Sequence, residues 1–170
     1  MQTFQLSASP GHLIRRLHQF STSLWANIVS NQITSPQFGI LNFLADHAGC
    51  DQTTLGSSVF LDRASTTEIV GRMTKRGLIC RVKDPKDMRR WKLTLTDLGY
   101  RTYAELAPLS LVHNNCLVEA LNKPNQLQFL GYLQEILNVD PELRVTEQVR
   151  QVSNSDSPIS GREVQQAALD

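Results

Sequence analysis

The segment Lys83–Thr96 constrains the fold of this chain more than any other feature of its sequence. It reads KDPKDMRRWKLTLT, a cation-rich turn between two stretches that alternate as strands, Leu78–Val82 and Lys92–Leu95. An apolar-periodic segment precedes it and ends at Gly77, a residue that suits the left-handed position at a helix end. This order, a helix that ends at a glycine and then a basic hairpin, predicts a winged helix-turn-helix. Such a fold is mainly α (α+β) and has a two-stranded wing.

The charge of the chain is concentrated in the same region. The formal net charge is only +1, but residues 63–101 hold eleven Lys and Arg against four Asp and Glu, whereas residues 138–170 hold three Arg against six acids. A local cationic excess is typical of a surface that binds phosphate, because each neutralised phosphate releases condensed counterions. The alternative is a solvated basic face that has no partner.

The chain before the hairpin predicts the two helices of a helix-turn-helix. A short helix opens near Asp51 and ends at about Phe60, and after the turn Asp62 is placed to cap a second helix, Arg63–Arg76. Such a second helix enters the major groove with its amino end first, next to a wing that reaches the minor groove. Ser65 and its threonine neighbours are also common at any helix start, and this plainer interpretation stays open. We interpret Asp87 as a brace for Arg89. The candidate DNA contacts are Thr54, Arg63, Ala64, Ser65, Thr67, Glu68, Arg72, Lys86, Arg89 and Arg90.

Long amphipathic helices flank this lobe. Apolar residues at spacings of three and four predict one helix over 10–31 and further helices over 97–138, around a DNA-binding lobe at 34–96. These helices carry more apolar surface than a small lobe can cover, so we expect them to form a homodimer that presents two recognition helices to a palindromic operator. We expect residues 1–140 to form a single domain and 141–170 to be a polar tail, with at most a short helix.

Other classes of protein find little support in the sequence. It contains no run of about 18 apolar residues and no signal-peptide pattern at its amino terminus, so we expect a cytoplasmic protein that does not enter a membrane. No H-E-x-x-H, G-x-S-x-G or glycine-rich phosphate loop is present, so we expect neither an enzyme nor a cofactor. Cys50, Cys80 and Cys116 are scattered and form no C-x-x-C, which favours a role as small buried hydrophobes.

The ordered motifs resemble the MarR family of bacterial transcription regulators. The resemblance runs from about His12 to Leu137 and implies a homodimer of winged helix-turn-helix protomers. By this resemblance Ser65 and Thr67 correspond to recognition-helix contacts and Arg89 to the wing arginine, whereas Glu68 and Met88 depart from the family's usual residues. The matching series comprises Leu61–Asp62, Ser65, Val70, Arg72, Arg76–Ile79, Arg81, Asp84–Pro85, Asp87, Arg89, Leu95–Thr96 and Gly99.

The first predicted helix adds a resemblance to one part of that family. The stretch His12–Gln19, HLIRRLHQ, is similar to the corresponding stretch of MarR members that respond to aromatic carboxylates and regulate their breakdown. An arginine suits a carboxylate and apolar walls suit a ring. On a helical wheel Arg16 lies nearer the apolar stripe than Arg15, so we expect Arg16 to be half-buried and Arg15 exposed, although a dimer can bury both sides of the helix. The candidate effector contacts are Arg15, Arg16, His18, Trp25, Phe38, His113 and Asn114.

The sequence therefore predicts a repressor that leaves its operator when a small aromatic acid binds. One alternative is a MarR-type regulator that responds to oxidation, which needs an accessible cysteine of low pKa. Another is a regulator that responds to a metal held by separated histidines. A third is a protein-interaction module whose basic hairpin binds acidic surfaces.

Overall fold

The computed structural model describes residues 5–84 and 87–138, and leaves the side chains of Arg89 and Arg90 undescribed. Lys86 and the predicted tail at 141–170 lie outside the described residues. After a short 3-10 turn, the described elements are α1 (Pro10–Ile28), α2 (Ser35–Asp46), α3 (Gln52–Ser58), α4 (Arg63–Lys75), β1 (Ile79–Asp84), β2 (Asp87–Leu95), α5 (Asp97–Val118) and α6 (Lys123–Leu137). None of the helices described is both long and apolar enough to cross a membrane.

Polar caps fix where the helices of the central lobe begin. The side chain of Asp51 accepts hydrogen bonds from the backbone NH groups of Thr53 and Thr54 at the start of α3. Asp62 does the same for Ser65 in α4, and Thr96 for Gly99 in α5. Each cap satisfies NH groups that have no partner within their own helix, so these starts are set by local sequence.

The apolar core of the protomer lies in this lobe, where α2, α3 and α4 pack together with the hairpin. Its centre is formed by side chains with no solvent exposure, and Thr66 is buried beside them. Tyr103 and Leu106 of α5 pack against it from the other side. The buried core comprises Ile33, Ile40, Leu41, Leu44, Leu55, Ile69, Val70, Met73, Leu78, Ile79, Leu93 and Leu95.

The wing is an antiparallel β1–β2 hairpin in which Ile79 pairs with Leu95 and Lys83 with Trp91. A single bridge from Cys50 to Leu93 adds a short third strand next to β2. Gly77 has φ +70°, which confirms its predicted left-handed position before the hairpin. The strands are longer than predicted, because pairing continues through the charged residues up to Asp84 and from Asp87, where apolar alternation gives no signal.

The first helix is shorter than predicted and ends at Ile28 instead of residue 31. The reason is a polar turn, since the hydroxyl of Ser30 accepts hydrogen bonds from the backbone NH groups of Gln32 and Ile33. These NH groups are thereby satisfied outside a helix, and the chain turns into α2.

The described chain divides into two compact units, one up to residue 120 and one from residue 121 that contains α6. In the first unit, α1 packs on α5 around Ser21 and Trp25, but its amino-terminal half keeps an exposed apolar stripe. The outward side of α5 and much of α6 also expose large apolar side chains. They are Leu13, Ile14, Leu17 and Phe20 in α1, Leu98, Tyr100, Leu109, Leu111 and Val112 in α5, and Leu127, Leu130, Tyr132, Ile136 and Leu137 in α6.

Candidate DNA-binding surface and effector pocket

The amino-terminal turn of α4 is held by its cap and faces solvent. The carboxylate of Asp62 accepts from the backbone NH of Ser65 at 2.8 Å and from its hydroxyl at 2.8 Å. These hydrogen bonds lower the pKa of Asp62 below its ordinary value, because they favour the charged form. The Ser65 hydroxyl is thus part of the cap, and it presents only its lone pairs outward.

Most of the predicted recognition-helix contacts lie on one exposed surface. Arg63, Ala64, Thr67, Glu68 and Arg72 are exposed, whereas Ser65 is half-buried. Glu68 forms an ion pair with Arg72 at 3.2 Å, and the two side chains are 66% and 58% exposed. An exposed pair four residues apart contributes at most about 0.5 kcal/mol, so a phosphate can replace Glu68 as the partner of Arg72.

A chain of hydrogen bonds crosses from the wing to α4. Arg81 of β1 donates to the side-chain oxygen of Gln52 at 3.2 Å, and the Gln52 amide donates to the hydroxyl of Thr67 at 2.8 Å. Thr67 in turn donates to the carbonyl of Arg63 at 2.8 Å. Gln52 and Arg81 were not among the predicted site residues, because these contacts join residues 15 and 29 positions apart.

Gln52, Arg63 and Arg81 line a cleft of about 600 Å³ between the wing and the helix-turn-helix. Thr54 of α3 is exposed and donates its hydroxyl to Asp51 at 3.1 Å, but it does not line the cleft. Asp51, Gln52, Thr53, Arg63, Arg81, Trp91 and Leu93 form the walls.

In the described part of the wing, two lysine side chains contact neighbouring residues. The Lys83 ammonium lies 4.0 Å from the centre of the Trp91 ring, and Lys92 pairs with Asp84 at 3.3 Å. Lys86, a predicted contact at the wing tip, lies outside the described residues, and the side chains of Arg89 and Arg90 are not described. The predicted brace between Asp87 and Arg89 therefore stays a prediction.

Three of the predicted effector residues, on α1, α2 and α5, contact one another. Trp25 contacts Phe38 with ring centres 5.4 Å apart, and it meets His113 edge-on at 5.2 Å. Phe38 stacks on Tyr103 at 6.0 Å, which adds an aromatic residue that the sequence had not indicated as a site residue. Asn114 is exposed and lies next to the His113 ring, its side-chain oxygen 3.4 Å from Nδ1.

The polar atoms of this aromatic cluster are engaged. The indole NH of Trp25 donates to the carbonyl of Ile33 at 2.7 Å in a buried contact. His113 is only 4% exposed, and its Nε2 lies 3.1 Å from the carbonyl of Ser21, so it can donate there. Trp25 and His113 are therefore buried and hydrogen-bonded, Phe38 is half-buried, and the contact of His113 with Ser21 ties α1 to α5 beside them.

The predicted carboxylate ligands lie elsewhere on α1. Arg15, Arg16 and His18 are all exposed in the protomer, so the expectation that Arg16 is half-buried is wrong. The physical reason is that the apolar stripe beside Arg16 is itself exposed, and an angle measured from that stripe therefore does not predict burial. Nine residues of helix separate Arg16 from Trp25, which is roughly 13 Å along the axis.

The cysteines give little support to an oxidation sensor. Burial, and secondarily the charge of Asp51, raises the pKa of the Cys50 thiol above its ordinary value, which disfavours the reactive thiolate. Cys80 lies 2.8 Å from the Thr94 hydroxyl, between the two strands of the wing. Across the described residues, no group of three or more His, Cys, Asp or Glu side chains is placed to hold a metal ion.

A capped recognition helix, a partner helix across a tight turn and a basic hairpin after it define a winged helix-turn-helix protein. The model of the MarR family matches residues 31–90, which contain α2, α3, α4, β1 and the first part of β2. The chain is 38% identical to the transcriptional regulator PcaV from Streptomyces coelicolor, whose structure with its natural ligand it matches with a TM-score of 0.77 over 82% of this chain and 99% of that one. The protein therefore belongs to the MarR family of transcriptional regulators.

Two further relatives are similar over most of their length. The transcriptional regulator HosA from Escherichia coli is 28% identical over 127 residues, which cover 75% of this chain and 93% of HosA. The transcriptional repressor CouR, in its structure with a 23-mer DNA duplex, is 26% identical with a TM-score of 0.69, over 81% of this chain and 99% of that one. CouR has also been solved bound to p-coumaroyl-CoA, at 25% identity and a TM-score of 0.73, over 82% of this chain and 99% of that one.

Proposed function

We propose that this MarR-family protein is a repressor that binds a palindromic operator as a homodimer and is released by a small aromatic carboxylate, such as a hydroxylated benzoate or pyridine carboxylate. The observation that carries the DNA-binding part is the exposed amino-terminal turn of α4 beside the basic wing. Arg63, Ala64, Thr67 and Arg72 face solvent there, within a segment that has a cationic excess of seven. The similarity to CouR, solved on a DNA duplex, supports the same assignment.

The homodimer follows from the exposed apolar surface of the flanking helices. Leu13, Leu17 and Phe20 of α1 are between 37% and 53% exposed, and Leu111 of α5 is 65% exposed. Contiguous apolar surface of this kind is characteristic of an interface. A symmetric pair of such faces covers both stripes and sets the two recognition helices about one turn of DNA apart.

The effector assignment combines the aromatic cluster with the exposed arginines. Trp25, Phe38 and His113 give apolar walls for a ring, whereas Arg15 and Arg16 are suited to a carboxylate. About 13 Å of helix separates Arg16 from Trp25, so an effector that contacts both must be met by an extended arginine side chain. We assign the carboxylate to Arg15 or Arg16, either of the same protomer or of its partner. The relatives support the aromatic part of this assignment, since CouR has been solved bound to p-coumaroyl-CoA, an aromatic acyl thioester that has no free carboxylate.

The DNA-binding proposal is tested by selecting duplexes from a random library with the full-length protein. We expect enrichment of a palindrome and, if about ten phosphates are contacted, a slope near −9 for log affinity against log salt. A slope near zero, or equal retention of a shuffled duplex, would contradict DNA recognition and favour a protein-interaction module.

The effector proposal is tested by a thermal-shift screen with hydroxylated benzoates and pyridine carboxylates. A ligand that prefers the folded protein raises its melting temperature by mass action, and release from DNA requires a coupling of about 1–3 kcal/mol between the two sites. Arg15→Ala and Arg16→Ala should identify the arginine that binds the carboxylate. The matched Lys variants keep the charge but lose the bidentate geometry, so they should restore only part of the shift. An undiminished shift in both Ala variants would refute the assignment.

A further inference from the structure

Gln52 occupies a position between the two parts of the protein that are assigned to DNA. It opens α3, yet its side chain contacts Thr67 of the recognition helix and Arg81 of the wing. We propose that Gln52, held by Arg81, is a positioning residue that ties the wing to α4 and fixes which hydrogen-bonding group Thr67 offers to DNA. This inference rests on the proposed DNA-binding function.

The chemistry of the three side chains sets the direction of every hydrogen bond in this chain. A guanidinium can only donate, so the Gln52 oxygen must face Arg81. The Gln52 NH2 group then faces Thr67 and donates to its hydroxyl. Thr67 has one hydrogen, and it points to the Arg63 carbonyl at 2.8 Å. The arginine therefore determines which of the two flipped orientations the Gln52 amide adopts.

The consequence for recognition is that Thr67 presents an acceptor. Its hydrogen is used within α4 and one lone pair is used by Gln52, so one lone pair remains for an outside partner. Phosphate oxygens and the major-groove edge of guanine only accept hydrogen bonds, whereas adenine N6 and cytosine N4 donate them. Thr67 is thus suited to an adenine or cytosine on the strand that it faces, and unsuited to a phosphate.

The same chain joins elements that must be presented to DNA together. The hairpin is one two-stranded ribbon, and Arg81 lies on β1 opposite Leu93 of β2. With Gln52 in place, the wing and α4 are linked through side chains as well as through the core. Removing the link at Gln52 should lower specific binding without removing a cation, because the Gln52 side chain is uncharged.

The experiment measures affinity for a duplex selected by the wild-type protein and for its shuffled counterpart, by fluorescence anisotropy with the full chain. Gln52→Met keeps the length of the side chain and removes both hydrogen bonds. We expect about a tenfold loss on the selected duplex, no change on the shuffled one and an unaltered salt slope. Gln5→Met, the same change at an exposed site before α1, is the matched control and should bind as wild type.

A double-mutant cycle separates positioning from a general loss of structure. If Gln52 acts through Thr67, Gln52→Met combined with Thr67→Val should be no worse than Thr67→Val alone. Repeating the selection with Gln52→Met should relax one position per half-site at which the wild type selects adenine or cytosine. Arg81→Met should reduce the preference for the selected duplex by the same factor, in addition to a weaker affinity for both duplexes that follows from the lost cation.

The outcomes distinguish this inference from the function on which it rests. Wild-type protein that cannot discriminate the two duplexes overturns the DNA-binding function, and the inference with it. Wild-type discrimination together with a Gln52→Met variant within twofold of wild type overturns the inference alone. The inference is also overturned if Gln52→Met loses the same affinity on both duplexes, or if the losses from Gln52→Met and Thr67→Val add.

Discussion

The close approach of α3 and α4 depends on the absence of a side chain at Gly56. A Cβ added there would lie 2.7 Å from the hydroxyl of Thr66 and 3.3 Å from the carbonyl of Leu61. Ordinary contacts of this kind need roughly 3.5 Å, so the shortfall against Thr66 is about 0.8 Å. Thr66 is 1% exposed and donates to the Asp62 carbonyl at 2.7 Å, so its hydroxyl cannot move away without losing that hydrogen bond.

We therefore expect Gly56→Ala to destabilise the protein by about 1–2 kcal/mol. Overpacking costs about 1–3 kcal/mol, and the better helix propensity of alanine offsets about 0.5–1 kcal/mol of it. Gly39→Ala is the matched control, because Gly39 also lies inside a helix and a Cβ there meets nothing within 4 Å. That variant should gain about 0.5–1 kcal/mol, so the two substitutions should have opposite signs.

Urea unfolding followed by circular dichroism, at one protein concentration, measures these differences. Thr66→Ala removes the atom that the new methyl group would meet, so it should rescue Gly56→Ala with a coupling of about 1–2 kcal/mol in a double-mutant cycle. The reasoning is refuted if Gly56→Ala is as stable as wild type. It is also refuted if the losses from Gly56→Ala and Thr66→Ala simply add.

Three further predictions follow from single contacts. Trp25→Phe leaves the buried carbonyl of Ile33 without its 2.7 Å donor and should cost about 1–3 kcal/mol in urea unfolding, whereas an unchanged midpoint would count against that bond. Because the pKa of Asp62 is lowered, its charged form stabilises the fold above pH 3.8, and this contribution disappears as the pH falls through the lowered pKa. The stability advantage of wild type over Asp62→Asn should therefore shrink below about pH 4. A constant advantage would refute the lowered pKa. Because burial raises the pKa of Cys50, operator binding by wild type and Cys50→Ser should respond equally to peroxide, and protection by the serine would revive the oxidation-sensor alternative.

The features that local sequence determines were predicted, and those that need a neighbour from elsewhere in the chain were not. The winged helix-turn-helix was confirmed because apolar periodicity, the Asp62 cap and the left-handed Gly77 act within a few residues. The end of α1 was wrong by three residues because the Ser30 turn competes with the helix. The expected burial of Arg16 failed, and Gln52 was missed, because burial and contacts between distant residues have no period in the sequence.

The α1–α2 loop is where the aromatic cluster and the recognition helix meet. The carbonyl of Ile33 accepts from Trp25 at 2.7 Å, and the carbonyl of the preceding residue, Gln32, accepts from Arg76 just after α4 at 2.9 Å. The hydroxyl of Ser30 accepts hydrogen bonds from the NH groups of both residues, so the loop is ordered by three side chains. A ligand that displaces Trp25 removes the donor of the Ile33 carbonyl, which is adjacent to the Gln32 carbonyl that Arg76 binds. For such a ligand to release DNA it must prefer the displaced arrangement, because a ligand that binds both arrangements equally shifts neither.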